Sequence, residues 1–63
     1  MSIKRNELLK HLERHGCVLH RHGSKHDLYA NTQNNRRTTV PRHQRMDRSL
    51  CEVICRQLGV EKI

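Results

Sequence analysis

The stretch Cys17-Val18-Leu19-His20-Arg21-His22, then Gly23-Ser24, then Lys25-His26-Asp27-Leu28-Tyr29-Ala30, decides the fold. Its first six residues lean to β structure and stop at the Gly-Ser pair. The next six read as a second strand, with Leu28 and Ala30 on one side at the two-residue period of a strand. Asn31-Thr32-Gln33-Asn34-Asn35 is turn chemistry, polar and tolerant of left-handed backbone. Arg36-Arg37-Thr38-Thr39-Val40 then reads as a third strand, closed by Pro41, which has no N–H to give a ladder. Three short strands with tight connections are a meander.

Helices flank that meander on both sides. Ser2 is placed to cap a first helix running to about His15, with Glu7 early in it and Gly16 as the stop. Leu8, Leu9 and Leu12 share one face of it, and the other positions are mostly charged. Arg42-His43-Gln44-Arg45-Met46 reads as a loop. A second helix is expected from Asp47 or Ser49 to Leu58, stopped by Gly59, with Leu50, Val53, Ile54 and Leu58 on one face. The fold class is therefore α+β, in the order αβββα, with a three-stranded antiparallel sheet and two helices packed on one of its faces. The other face is left to solvent or to a partner. This is also the layout of the double-stranded-RNA-binding domain, although a fold does not by itself assign a function.

Residues 1–63 are read as one small domain. With one Tyr, no Phe and no Trp, the core must be small and aliphatic. No apolar run approaches the roughly 20 residues of a membrane span, and the start lacks the apolar stretch of a secretory signal. A cytoplasmic protein is the expectation. Thirteen Lys and Arg against six Asp and Glu give a net charge of +7, a field that attracts polyanions and points to nucleic acid. Cys17, Cys51 and Cys55 fit no disulfide framework, and the second knuckle of a structural zinc site is missing, so they read as reduced thiols beside the core.

The chemistry concentrates in His22-Gly23-Ser24-Lys25-His26-Asp27. A Gly-Ser turn followed by a cation and an imidazole brings together backbone N–H groups, a hydroxyl, an ammonium and a proton carrier. That set suits a phosphodiester, with Gly23, Ser24 and Lys25 on the non-bridging oxygens and His26 moving a proton.

Four segments in register resemble one known family. Gly23-Ser24-Lys25-His26-Asp27-Leu28-Tyr29 is similar to the glycine-then-histidine signature of HicA-type toxins, the toxin half of HicA–HicB toxin–antitoxin pairs. Val40-Pro41-Arg42-His43 resembles the end of the family's third strand. Leu8-Leu9 with Leu12-Glu13 and Gly16 resembles its opening helix, and Ser49-Leu50, Ile54 and Gln57-Leu58-Gly59 its closing one. The resemblance implies a fold like that of the double-stranded-RNA-binding domain and an mRNA interferase silenced by a HicB-type antitoxin. It also puts the family's catalytic histidine at His26. Two departures stand out: Cys17 replaces an aromatic found in many members, and the Asn31–Asn35 turn replaces a Pro- or Gly-rich one.

On the RNA substrate that the resemblance implies, the residues add a constraint: Tyr29 alone cannot build a stacking platform, so recognition should rest mainly on phosphate contacts. Lys25, Arg36, Arg37, Arg42 and Arg45 are the candidate phosphate contacts beside Gly23 and Ser24. His43, just past Pro41, is either a second acid–base group or a phosphate contact. His11, His15, His20 and His22 read as structural or surface residues, and Asp27 as a solvated neighbour or an orienter of an imidazole. No metal and no cofactor are expected, since one carboxylate in the segment cannot hold a metal pair. The expected route is attack by the RNA's own 2′-OH, with His26 as general base. The expected antitoxin is acidic and covers His26. Two other readings stay open: a non-catalytic double-stranded-RNA-binding module of the same fold, and an adaptor for an acidic protein.

Overall fold

The computed structural model describes residues 2–63. Along the chain it contains β1 (Ser2–Lys4), α1 (Arg5–Arg14), β2 (Cys17–His22), β3 (His26–Asn31), β4 (Arg37–Pro41), β5 (Arg45–Asp47) and α2 (Arg48–Leu58). The expected α+β core is present: β2, β3 and β4 form an antiparallel sheet in chain order, between the two helices in sequence. One face of that sheet carries Cys17, Tyr29, Asn31, Thr38 and Val40, all buried. Leu8 and Leu12 of α1 and Ile54 and Leu58 of α2 close over it and are almost wholly removed from solvent. Burying each such side chain contributes about 1.5–3 kcal/mol, which is how a chain with one aromatic residue still builds a core.

Three expectations change. Ser2 caps no helix: residues 2–4 are the strand β1, and the N-cap position falls on Lys4, with no side-chain cap hydrogen bond. The expected loop after Pro41 contains β5, which pairs antiparallel with β1 through Ser2↔Asp47, Ile3↔Met46 and Lys4↔Arg45. The reason is the central rung, because Met46 is buried in the core and Ile3 packs against it, a gain no local pattern reveals. On α2 the buried stripe is Cys51, Ile54, Cys55 and Leu58, while Leu50 and Val53 are 38% and 39% exposed. The two cysteines take the core positions that larger side chains were expected to fill. Burial pushes the thiols of Cys17, Cys51 and Cys55 up, so they remain protonated and act as small apolar groups.

The far end of the β3–β4 hairpin is tied to the end of α2. Gly59 takes a left-handed φ of 73°, and the N–H groups of Gly59 and Val60 donate to the Arg56 and Cys55 carbonyls. The Leu58 carbonyl accepts from Asn31 Nδ2 at 2.8 Å and from Asn34 Nδ2 at 3.0 Å. The polar 31–35 turn is thus a helix cap as well as a strand connection. The Thr38 hydroxyl donates to Gln57 Oε1 and joins β4 to the same helix.

Candidate functional site

The β2–β3 turn is built by a close approach. Gly23 N–H donates to the His26 carbonyl at 2.8 Å. A Cβ on residue 23 would lie 2.5 Å from that same carbonyl oxygen, so only glycine fits without moving the turn. The Gly23 N–H is used in this way to shape the turn that presents His26. Ser24 and Lys25 are exposed at the tip, and His26, also exposed, opens β3 opposite Pro41. An open groove lined by Ser24, Lys25, His26 and Thr39, among others, lies along this end of the sheet.

Alternation along β3 turns His26 and Asp27 to opposite faces. His26 faces outward with Leu28, while Asp27 faces the helices and is 6% exposed. A buried carboxylate needs partners, and three converge on it. Arg42 donates to Oδ1 through Nε at 3.0 Å and Nη2 at 2.7 Å, and Arg5 Nη2 donates to Oδ2 at 2.7 Å. His22 Nδ1 completes the set at 3.0 Å from Oδ1. The hydrogen bonds from Arg42, and next those from His22, hold the Asp27 carboxyl down at about 2. Arg5 also donates from Nε to the Pro41 carbonyl at 3.0 Å, and Arg42 from Nη2 to the Gly23 carbonyl at 2.7 Å. Asp27 therefore fastens β2, β3, β4 and the start of α1 together. The expectation of a solvated Asp27 is corrected, and the imidazole it orients is that of His22.

The remaining candidates fall in separate places. His43 lies exposed between β4 and β5, two residues past the cross-strand partner of His26 and thus at the same end of the sheet. Arg45 lies on β5. Arg36 and Arg37 sit at the opposite end of the hairpin, where Arg37 pairs with Ala30, four residues along β3 from His26 or about 13 Å of strand. Arg42, expected on phosphate, is committed in part to Asp27 and Gly23. Sequence reasoning missed Arg5 and the role of His22. The available signal was an acid on the inward side of a strand period, in a chain with cations to spare.

The HicA toxin family of bacterial toxin–antitoxin systems matches residues 5–60, and the chain belongs to that family. That span takes in both helices, the three-stranded sheet and the Gly23–His26 turn. Comparison with curated proteins and with solved structures gives no match. Membership makes the protein a toxin-antitoxin toxin of a generally RNase-type family, and it implies a HicB antitoxin as its partner. No helix among the described residues is long and apolar enough to cross a membrane.

Proposed function

We propose that this chain is a metal-independent endoribonuclease that cuts mRNA and blocks translation, with His26 as the general base. The observation that carries the reading is the placement of His26: exposed, at the start of β3, in a groove with Ser24 and Lys25, on a turn that only glycine permits. His26 takes the proton of a 2′-OH, which attacks the adjacent phosphorus, and the bond to the 5′-oxygen breaks. Lys25 and the Ser24 hydroxyl stabilise the charge that builds on the non-bridging oxygens. The products are a 2′,3′-cyclic phosphate and a 5′-OH. His43, at the same end of the sheet, is the candidate to return a proton to the leaving oxygen or to hold a phosphate.

The Asp27 carboxylate is engaged by two guanidiniums and an imidazole, which removes the one acid of this segment as a metal ligand. Arg36, Arg37, Arg42 and Arg45 supply phosphate contacts away from the reacting centre. The antitoxin is an acidic protein that covers His26, and toxin and antitoxin act in the cytoplasm.

The test is digestion of a mixed RNA in EDTA by the wild type beside His26→Ala. Cleavage by the wild type alone, with RNA binding kept in the variant, is the expected result. Cleavage at a site whose 2′-OH is replaced by hydrogen, or strict dependence on magnesium, rules the mechanism out. Binding without cleavage leaves an RNA-binding module.

A further inference from the structure

On the other side of the Asp27 cluster lies a second groove, lined by Lys4, Arg5, Asn6, Arg42, Gln44 and Arg45. Four of those six side chains are cations, and the other two are amides that donate N–H. The one carboxylate bonded to any of them is Asp27, which Arg5 and Arg42 share. Among the described residues neither Lys4 nor Arg45 forms an ion pair. Asp47 lies two residues beyond Arg45 on the same face of the ladder and is not within ion-pair distance of either. The groove therefore holds three more positive charges than negative ones.

The β1–β5 ladder adds an independent sign. Lys4 and Arg45 are directly opposite each other in it, and like charges so placed destabilise a strand pair. A ribbon of three residues per strand is marginal to begin with. Keeping two cations on one of its three rungs costs stability that an anion bound between them would restore. Arg5 and Arg42, meanwhile, are fixed in direction by the buried Asp27 before any ligand arrives, so little freedom is lost when they bind one.

We propose that this groove is a second phosphate site, which takes a backbone phosphodiester of the RNA strand away from the linkage that faces His26. The inference rests on RNA as the substrate and goes beyond it in placing Lys4, Arg5 and Asn6 on the strand's path. Guanidinium forks and amide N–H donors match phosphate oxygens. A protein partner would be expected to anchor on apolar or aromatic side chains, and none lines this groove.

The experiment measures binding of an uncleavable 2′-O-methyl RNA decamer across a salt series. It compares the wild type, Lys4→Gln/Arg45→Gln, and Arg56→Gln/Lys62→Gln, which loses the same charge around α2 and the C-terminal tail. The groove variant loses about tenfold in affinity and flattens the salt slope by about 0.7, the value for one phosphate contact on a single strand. The control pair keeps both. Without RNA, the groove variant melts about 2 °C higher than the wild type, because the like-charge rung is gone. Cleavage of ordinary RNA, read in parallel, shows a raised KM with kcat kept. If the protein binds the decamer as described but cleaves nothing, the ribonuclease reading fails and the groove stands. Equal losses in the two pairs, unchanged RNA affinity in the groove variant, or loss of antitoxin binding alone overturns the proposal.

Discussion

The molecule contains two sheets that come from the sequence in different ways. The β2–β3–β4 sheet is made by neighbours in the chain: its turns are short, its strands alternate, and its buried face rests under both helices. The β1–β5 ribbon joins the start of the described chain to the segment just before α2 through three rungs, only one of them apolar. It is held by Met46 in the core, by the Arg5 N–H to Gln44 carbonyl bond at 2.8 Å, and by Arg5 reaching Pro41 and Asp27. The first sheet carries a whole buried face, whereas the second adds a single apolar rung to the same core. The groove at His26 belongs to the larger sheet, and the second basic groove lies along the ribbon. The proposed chemistry thus sits on strands that are neighbours in the chain, and the proposed second contact on a ribbon of three residues per strand.

The strongest way to break that comparison is through a core that both sheets share. Leu12→Ala removes a fully buried side chain and should cost about 3 kcal/mol, a large part of the total for a domain this small. Urea unfolding should show one transition at a much lower midpoint. Met46→Ala is the selective counterpart, expected to cost about 2 kcal/mol. Hydrogen exchange should then speed up first at Ile3 and Met46, with β3 still protected. Equal acceleration in both sheets would mean that they open as one unit.

Asp27 is the fastening between the regions, and acid tests it. Its carboxyl sits at about 2 in the fold, against about 3.9 for a free aspartate. A lowered carboxyl contributes stability that is complete above the unfolded value and is lost as pH falls through the folded one. The wild type should therefore weaken between about pH 4 and pH 2. Asp27→Asn should be less stable at neutral pH and lose this part of the acid dependence, as read from urea midpoints against pH. An unchanged acid limb in the variant would remove Asp27 as its cause.

Gly23→Ala sharpens the comparison inside the larger sheet. The added Cβ meets the His26 carbonyl at 2.5 Å, and relieving that contact should cost about 1–2 kcal/mol. RNA cleavage should fall by far more than stability does, because the turn that moves is the one that presents His26. Equal activity would show that the position of His26 tolerates a shifted turn.

The contrast also explains what was legible. The hairpin sheet follows from the two-residue period, the Gly-Ser and Asn-rich turns and Pro41, all of which act over a few residues. The strands β1 and β5 have no period to read, because three residues are too few, and Ile3 meets Met46 from far along the chain. Ser2 resembles a cap, yet the pairing of Ile3 prevails over the local preference. The turn bearing His26 was readable from Gly23-Ser24-Lys25-His26. The Asp27 cluster was not, since its guanidiniums come from residues 5 and 42, and which imidazole it orients is decided by the pairing of Asp27 with His22 across the strands.

Helix α2 touches both sheets, and its least buried apolar positions set the finest test. A helical period read from the larger side chains puts Val53 on the core stripe with Leu50. The structure instead turns Cys51 and Cys55 inward and leaves Val53 39% exposed. Apolar area already in contact with water contributes little when it is replaced by a polar group. Val53→Gln should thus change stability by no more than about 0.5 kcal/mol, the usual range for a surface position. Glutamine also has at least the helix propensity of valine, so the backbone adds no further cost. Ile54→Ala, one residue along and 2% exposed, should cost about 2–5 kcal/mol by the same urea measurement. The pair is diagnostic because the two residues are adjacent and both β-branched, leaving burial as the main difference. If Val53→Gln destabilises the fold as strongly as Ile54→Ala, the helix is rotated toward the larger side chains, and the cysteines do not form the inner stripe.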